Sequence, residues 1–364
     1  METSSILPPF TAFDYRHDPL SSSQQQPTTA NPLTMAPATL VLPTINPQLK
    51  IAVLNGGTSA EAEVSRVSAR GVIAALRVNY DQVFDISLDG DFAAELSACK
   101  PDVVFPVVHG SPGEDGTLQG FLEMLGYAYV GSDVHSSAIA MDKIIAKHVF
   151  RAAGLPLIEQ VVVEQHQGIS AASELILSEL GSYVVVKPAR QGSALGVTLV
   201  DNASQLHEAL ATAFKLDPRL LIERRVDGKE ITVGVIDVNG DVNGDVNDQT
   251  LPFPVIEIAT PDNTFYDYAH RYTVGLSEHL MPAPLTPAQT ERLQAIAIAA
   301  HRSLGCRDLS RADFVVPNDD EEYLLEVNTL PGMTPTSLYP DGASGFGLTF
   351  AELTSYLVER AAAR

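Results

Sequence analysis

Short apolar runs alternate with helical segments from residue 50 onward, and this alternation limits the folds open to the chain. The run KIAVL (50–54) ends in a Gly-Gly turn, and EAEVSRVSARGVIAAL (61–76) follows with helical spacing. A second run, DVVFPVVHG (102–110), leads into a Gly/Pro loop. Alternation of this kind predicts an α/β fold with a parallel sheet covered by helices.

Length and charge narrow the possible partners. The chain has 364 residues, which predicts two or three domains, and its formal charge is -22. Such a surface repels nucleic acid and anionic membranes, so we expect neither as a partner. Cys99 and Cys306 are the only cysteines, which excludes a disulfide framework and indicates the reducing cytoplasm. No apolar run reaches the roughly 18–20 residues of a membrane span.

Two segments have unusual composition. Residues 1–48 include SSSQQQPTTANP, lack periodicity and lack the features of a signal peptide, so we predict a disordered tail. Met35 is a candidate for the initiator methionine. The repeat DVNGDVNGDVND (237–248) superficially resembles a calcium loop, but its glycines have the wrong spacing and no Glu stands at the twelfth place. Asn-Gly between β runs predicts a lengthened hairpin instead.

Three helices have clear boundaries. Residues 137–153 read as one helix, ended by Gly154 and Pro156. Residues 286–304 begin with a Thr-Pro-Ala-Gln capping box and end at Gly305. A last helix, roughly 349–363, closes the chain.

A late hairpin combines apolar runs with oxygen-bearing side chains. ADFVVP pairs with EYLLEVN, and alternation places Leu324, Glu326 and Asn328 on one face, with Tyr323, Leu325 and Val327 on the other. Asp313 lies on the partner strand. These oxygens suit Mg²⁺, an ion that also binds substrate phosphates, and the alternative interpretation is a solvated polar face. From the hairpin alone, both interpretations remain open.

A lysine and a glycine loop add to this pattern. Lys187 ends the run Val184-Val185-Val186, and ARQGSALGV (189–197) follows as a Gly/Ser loop whose backbone donors suit phosphates. Alone, the loop reads as a surface turn, and the chain contains no P-loop motif. Together with the acidic hairpin, these features suggest a triphosphate held between two sheets with divalent metal on one side.

Seven segments carry a resemblance to a known family. They are AVLNGGTSAEAEVS, VVHGSPGEDGTLQGFLE, YVGSDVHSSAIAMDK, VVVKPARQGSALGV, DGKEITVGV, FYDYAHRYT and LLEVNTLPGMTPTSL. In this order they resemble the ATP-grasp ligases, and more closely the D-alanine–D-alanine ligases, from about residue 50 to the C-terminus. The resemblance implies ATP-dependent formation of D-alanyl-D-alanine through an acyl phosphate, for peptidoglycan synthesis in the cytoplasm. A homodimer is also implied.

The same resemblance implies a domain plan. An ATP-grasp fold has three α/β domains with ATP between the central and C-terminal sheets. We expect a tail over 1–48, a substrate-binding domain over 49–134, a central domain over 135–225 and a C-terminal domain with the metal site over 226–364.

Site residues carry over by motif. The implied ATP ligands are Lys143, Lys187 and Arg271 for the phosphates and Glu223 and Glu230 for the adenosine, with Val226 as a further ATP-binding residue. Two Mg²⁺ or Mn²⁺ ions would be held by Asp313, Glu326 and Asn328. Glu61 would bind the first D-alanine and form a latch with Ser193 and Tyr272. Arg311 and the Gly332 N–H would stabilise the tetrahedral intermediate, and Ser337 and Leu338 would bind the second substrate. His109 and Glu114 would lie near the substrates.

Two departures from the family pattern affect the implied function. Arg271 stands where the family usually has lysine, and arginine is larger and forked. The glycine loop reads Gly-Ser-Ala-Leu-Gly rather than Gly-Ser-Ser-Val-Gly, but Ser193 remains. The resemblance also implies that Tyr272 favours an amine acceptor, because related ligases that form the D-alanyl-D-lactate ester tend to lack this tyrosine. The alternatives are the same fold with D-lactate or D-serine as acceptor, and a nucleotide-binding protein without ligase activity.

Overall fold

Three β-sheets organise the chain in this computed structural model, which describes residues 40–238, 249–260, 275–317 and 321–364. The strands are β1 (Lys50–Asn55), β2 (Gln82–Ser87), β3 (Val103–Pro106), β4 (Ala128–Tyr129), β5 (Gln160–Glu164), β6 (Val184–Pro188), β7 (Thr198–Val200), β8 (Arg219–Arg224), β9 (Lys229–Val238), β10 (Gln249–Pro252), β11 (Ile256–Ala259), β12 (Glu278–Leu280), β13 (Leu309–Val316) and β14 (Tyr323–Asn328). The α-helices are α1 (Ala62–Leu76), α2 (Phe92–Cys99), α3 (Thr117–Met124), α4 (Val134–Met141), α5 (Lys143–Ala152), α6 (Ile169–Glu179), α7 (Ala203–Ala213), α8 (Pro287–Ser303), α9 (Leu338–Phe346) and α10 (Phe350–Ala362). A 3₁₀ turn covers Gln165–Gln167.

The first sheet is parallel, as the alternation predicted. Its order is β2-β1-β3-β4, and each neighbouring pair runs in the same direction. Five of the six residues of β1 are buried, which is typical of a strand covered on both faces. Gly56 follows with a φ of 77°, a left-handed conformation that glycine adopts without a side-chain clash.

The other two sheets are antiparallel. The central sheet has the order β5-β8-β6-β7, and the C-terminal sheet the order β12-β11-β9-β13-β14 with β10 added beside β9. Strands β9 and β10 flank the Asp-Val-Asn-Gly repeat and pair antiparallel, which confirms the predicted hairpin pairing. Residues 239–248 of the repeat lie outside the described ranges.

The helix predicted over 137–153 is wrong as a single element. Asp142 interrupts it with extended dihedral angles (φ -88°, ψ 98°) and separates α4 from α5. Its carboxylate accepts hydrogen bonds from the backbone N–H groups of Ile144 and Ile145, each at 3.2 Å, and it also pairs with Arg219. This capping starts a new helix at Lys143. The predicted end of the segment holds, since α5 ends before Gly154.

The two later helices lie where the sequence predicted them. Thr286 and Gln289 form the capping box of α8, and Thr349 forms another with Glu352 at the start of α10. Within the described part of the chain, no helix combines the length and apolar character needed to cross a membrane.

The predicted alternation along β14 is wrong at Leu324 and Leu325, where the strand pairing is irregular. The pairing of β13 with β14 shifts between Asp313 and Phe314, so that Glu326 lies opposite Asp313 while Leu324 lies opposite Phe314. Leu325 is the extra residue of this β-bulge. Leu324 therefore packs into the same apolar cluster as Val327, instead of sharing a face with Glu326 and Asn328. The bulge therefore removes Leu324 from the face that carries Glu326 and Asn328.

One apolar core joins the first sheet to the C-terminal part of the chain. It combines residues of β1, β3 and α1 with residues of β9, α9 and α10. Leu40 and Ile45, from the segment assigned to the tail, pack against this core. The backbone N–H of Asn46 also donates to Glu359 Oε1 at 2.7 Å. Residues 40–48 therefore contact the folded chain.

A buried carboxylate lies beside this core. Asp308 is 0% exposed, and its Oδ1 accepts from Arg360 Nε at 3.1 Å and from the Arg364 guanidinium at 2.6 Å. Its Oδ2 accepts from the backbone N–H of Gly131 at 2.8 Å. Asp308 thus links the loop after β4 to α10 and to the start of β13.

Candidate functional site

A cleft of about 650 Å³ lies between the central and C-terminal sheets. Side chains of β6, β7 and β8 form one wall, and side chains of β9, β11, β13 and β14 form the other. Among the residues implied by the sequence, those that line the cleft are Lys143, Lys187, Glu223, Val226, Glu230, Asp313 and Glu326. The cleft therefore brings together two implied phosphate ligands, the implied adenosine ligands and two of the three implied metal ligands.

Asp313 and Glu326 form the acidic wall of the cleft. Hydrogen bonds hold Asp313 in place. Arg311 Nε and a terminal guanidinium nitrogen donate to the two oxygens of Asp313, each at 2.8 Å. Asn328 Nδ2 donates to Asp313 Oδ2 at 3.2 Å, and Thr232 Oγ1 donates to Oδ1 at 2.6 Å. Arg311, Asp313 and Asn328 thus share one face, and for Arg311 and Asp313 this follows from their spacing of two residues along β13. Four donors fix the orientation of the Asp313 carboxylate.

Lys143 connects the acidic wall to the glycine loop. Its Nζ lies 3.3 Å from Glu326 Oε2 and donates to the backbone carbonyl of Gln191 at 2.7 Å. Lys143 is the first residue of α5 because Asp142 breaks the preceding helix. The break therefore places a cation between the hairpin and the loop that follows Lys187.

A second lysine on α5 has a partner that the sequence did not suggest. Lys147 Nζ lies 2.7 Å from Glu223 Oε1, and Lys187 pairs with Glu223 Oε2. The two ammonium groups outweigh the effect of burial and lower the pKa of Glu223 to about 2, while burial lowers the pKa of Lys147. Glu223 therefore carries a negative charge inside the fold.

Another group of implied residues lies outside the lining of the cleft. Ser193 donates a hydrogen bond to Glu61 Oε1, which brings the glycine loop to the start of α1. Ser193 and Ala194 have φ angles of 46° and 58°, a region that non-glycine residues rarely adopt. A Cβ at Gly192 would lie 3.2 Å from Glu61 Oε2, so the loop approaches this carboxylate closely.

His109 belongs to a buried chain of polar contacts. Its Nδ1 lies 3.7 Å from Glu114 Oε1, and its Nε2 lies 3.2 Å from Ser68 Oγ. The Met333 N–H donates to the same hydroxyl at 3.4 Å. Ser68 Oγ thus contacts both His109 Nε2 and the Met333 N–H. This series of polar contacts therefore connects His109 to Met333, the residue after Gly332.

The turn after Gly332 is compact. Ser337 Oγ accepts from the Thr334 N–H at 2.9 Å, and a Cβ at Gly332 would lie 2.8 Å from this oxygen. Ser337 is the N-cap of α9, and Leu338 is its first residue. The backbone N–H groups at a helix N-terminus favour an anion. Arg271 and Tyr272 lie outside the described residues.

Comparisons with known proteins identify the family. The family model described as "D-ala D-ala ligase C-terminus" matches residues 149–359, and "D-ala D-ala ligase N-terminus" matches residues 89–132. A D-alanine–D-alanine ligase of Halalkalibacterium halodurans is 42% identical over 312 residues, which cover 85% of this chain and 98% of the relative. The chain belongs to the D-alanine–D-alanine ligase family.

Solved ligase structures agree with this fold. A D-alanine–D-alanine ligase from Bacillus anthracis complexed with ATP has a TM-score of 0.72 at 30% identity, covering 86% of this chain and 97% of that one. The VanG D-Ala:D-Ser ligase from Enterococcus faecalis has a TM-score of 0.71 at 30% identity, covering 86% and 99%. The fold is therefore that of the ATP-grasp ligases, and this family uses ATP.

Sequence reasoning missed three polar residues that support this ligase site. They are Ser68, Lys147 and Thr232. Lys147 follows Lys143 by four residues, so helical spacing places both on one side of α5, and this was an available signal. Ser68 lies on an amphipathic helix and Thr232 in a largely apolar strand, where local sequence gives no indication of a distant partner.

Proposed function

We propose that this chain joins two D-alanine molecules into D-alanyl-D-alanine with ATP, as a cytoplasmic step of peptidoglycan precursor synthesis. The observation that carries the proposal is the cleft in which Lys143 and Lys187 face the acidic pair Asp313 and Glu326. Such a cleft suits a nucleoside triphosphate, and family membership indicates the amino acid substrates.

The proposed reaction has two steps. A carboxylate oxygen of the first D-alanine attacks the γ-phosphorus, the bond from that phosphorus to the β,γ-bridging oxygen breaks, and ADP leaves. The neutral amine of the second D-alanine then attacks the acyl carbon. The tetrahedral intermediate loses a proton and expels phosphate to give the dipeptide. Positioning and charge stabilisation supply most of the catalysis.

The ATP contacts follow from the walls of the cleft. Lys143 and Lys187 would contact the phosphates, and Glu223, Val226 and Glu230 would form the adenosine end. Arg271, which is not among the described residues, would add a further contact to the phosphates. The Lys143–Glu326 contact of 3.3 Å supports this arrangement, because it already places a cation beside the proposed metal site.

The acidic wall fits a divalent cation. Within the described ranges, no group of three or more His, Cys, Asp or Glu side chains is arranged to hold a metal. The candidate ligands are therefore two carboxylates and one amide, from Asp313, Glu326 and Asn328. These hard oxygen donors suit Mg²⁺ or Mn²⁺ together with phosphate oxygens and water. Two such ions would neutralise the charge of the β- and γ-phosphates.

The amino acid sites would lie next to the cleft. Glu61 would bind the ammonium of the first D-alanine, and its contact with Ser193 supports a latch that also includes Tyr272. A latch of this kind would exclude water from the acyl phosphate. His109 would lie beside this substrate, since its loop is tied to the start of α1 through Ser59 Oγ, which donates to the His109 carbonyl at 2.8 Å.

The intermediate and the second substrate would meet the end of the acidic hairpin. Arg311 and the Gly332 N–H would stabilise the oxyanion of the tetrahedral intermediate. Ser337 and Leu338 would bind the carboxylate of the second D-alanine, and the N-terminus of α9 supports this role.

Turnover with three acceptors tests the proposed function. With D-alanine alone, we expect one D-alanyl-D-alanine for each ADP. With added D-lactate or D-serine, we expect the D-alanine dipeptide to remain the main product, measured by mass spectrometry at several pH values.

A second candidate is D-serine as the acceptor, because the fold also matches a solved D-Ala:D-Ser ligase. Preferred formation of D-alanyl-D-serine would support this candidate over the main proposal. ATP binding without ADP release that depends on D-alanine would instead indicate a nucleotide-binding protein without ligase activity.

Removing the Ser68 hydroxyl is expected to affect catalysis more than folding. The Ser68→Ala variant leaves His109 Nε2 and the Met333 N–H without their shared partner. We expect kcat/KM for D-alanine to fall about tenfold, the equivalent of one buried hydrogen bond. The matched control is Ser137→Ala, a buried serine whose hydroxyl donates to the Ser132 carbonyl at 3.5 Å. Equal kcat/KM values for the two variants would contradict the connection to Met333.

A further inference from the structure

The buried lysine on α5 connects both walls of the cleft. The Lys147 side chain is 1% exposed, and its Nζ donates to the backbone carbonyl of Leu324 at 2.8 Å as well as pairing with Glu223. Leu324 lies at the β-bulge, two residues before Glu326. Lys147 therefore contacts the central sheet through Glu223 and the acidic hairpin through Leu324.

Lys187 and Lys147 share Glu223 but have different access to the cleft. Lys187 lines the cleft and its side chain is 14% exposed, whereas Lys147 does not line the cleft. Glu223 itself is 1% exposed, so its charge needs a cation at all times. If Lys187 turns its charge toward a phosphate, Lys147 is the other cation that contacts the Glu223 carboxylate among the described residues.

We propose that Lys147 is a positioning residue that keeps Glu223 neutralised and thereby allows Lys187 to interact with the nucleotide phosphates. The inference rests on the proposed function, because that function assigns Lys187 to the phosphates. Lys147 acts through Glu223 and does not itself contact the nucleotide. The hydrogen bond from Lys147 to Leu324 also holds the backbone carbonyl at the β-bulge in place, close to Glu326.

The charges explain why the second lysine is needed. Without Lys147, Lys187 would be the remaining cation on a buried carboxylate. Moving Lys187 toward phosphate would then leave Glu223 uncompensated, and an uncompensated buried charge costs several kcal/mol. The nucleotide would have to overcome that cost, so its affinity would fall. Replacing Glu223 by a neutral residue would remove the cost.

Nucleotide binding by calorimetry tests this arrangement without requiring turnover. For Lys147→Met we expect the Kd for ATP, measured with Mg²⁺ and without D-alanine, to rise by about 10- to 100-fold, comparable to a charged hydrogen bond. The Lys147→Met/Glu223→Gln double variant is expected to bind ATP at least about fivefold more tightly than Lys147→Met, because a neutral amide in place of the carboxylate releases Lys187. The control Lys215→Met removes an exposed lysine and should bind ATP like the unmodified chain.

The outcomes separate this inference from the proposed function. Wild-type ATP affinity in Lys147→Met, or no recovery in the double variant, would overturn the role of Lys147. If Lys147→Met does not fold, the double variant is compared with Glu223→Gln alone. Once residue 223 is neutral, Lys147 and Lys187 no longer share a counter-ion, so these two variants should bind ATP within about threefold, and a tenfold difference would overturn the inference. ATP binding without dipeptide formation in the unmodified chain would contradict only the proposed function.

Steady-state kinetics adds an independent readout. We expect the KM for ATP to rise in Lys147→Met, while the KM for D-alanine remains unchanged. A purely structural role would instead affect both KM values or the amount of folded protein. Equal increases in both KM values would therefore contradict the proposed role.

Discussion

The Glu326→Gln variant is expected to lose about 10²- to 10³-fold in dipeptide formation while its fold remains intact. Glutamine keeps the size of the side chain but removes the negative charge opposite Asp313 and beside Lys143. A neutral amide would bind a divalent cation weakly and would leave the triphosphate charge poorly compensated. The measurement is ADP release that depends on D-alanine, together with the circular dichroism spectrum and thermal unfolding.

Glu322→Gln is the matched control for this variant. Glu322 precedes the same strand, but its Oε1 accepts from Arg292 Nε of α8 at 2.9 Å instead of facing Lys143. We expect turnover close to that of the unmodified chain. Full activity in Glu326→Gln would mean that the metal assignment is wrong. Equal losses in both variants would show that the hairpin, rather than the charge at Glu326, limits activity.

The Asp308→Asn variant is expected to lose roughly 3–5 kcal/mol of unfolding free energy, the range measured when one partner of a buried ion pair is removed. Asparagine tolerates the left-handed backbone at this position, where φ is 65°. It lacks the charge that balances Arg360 and Arg364, both of which contact Asp308 Oδ1. The measurement is urea denaturation of the full chain, with the midpoint and slope compared.

The control for Asp308→Asn removes an exposed charge. Glu63 pairs with Arg66 at 3.3 Å on the surface of α1, and the Glu63 side chain is 70% exposed. Exposed pairs contribute little to stability, so Glu63→Gln should leave the urea midpoint unchanged. A midpoint for Asp308→Asn equal to that of Glu63→Gln would contradict a stabilising role for the buried cluster.

Local pattern was sufficient for several parts of this fold. The alternation of apolar runs and helices predicted the parallel first sheet, because each element has its own hydrophobic period. The capping box at Thr286 predicted the start of α8, since its hydrogen bonds involve neighbouring residues. The oxygen-bearing residues of the final hairpin were also visible, as acidic and amide side chains in an otherwise apolar segment.

The sequence alone therefore determined the main elements, the identity of the family and most of the residues that meet at the cleft. Only the tertiary structure decided the break at Asp142, the bulge that turns Leu324 into the core, and the partners of Lys147 and Asp308. Lys147 and Leu324 are 177 positions apart, and so are Gly131 and Asp308. Contacts over such separations depend on how distant elements pack and leave no local period in the sequence. This is the physical reason why one lysine at the cleft, Lys187, was predicted from its strand, while the lysine that shares its counter-ion was not.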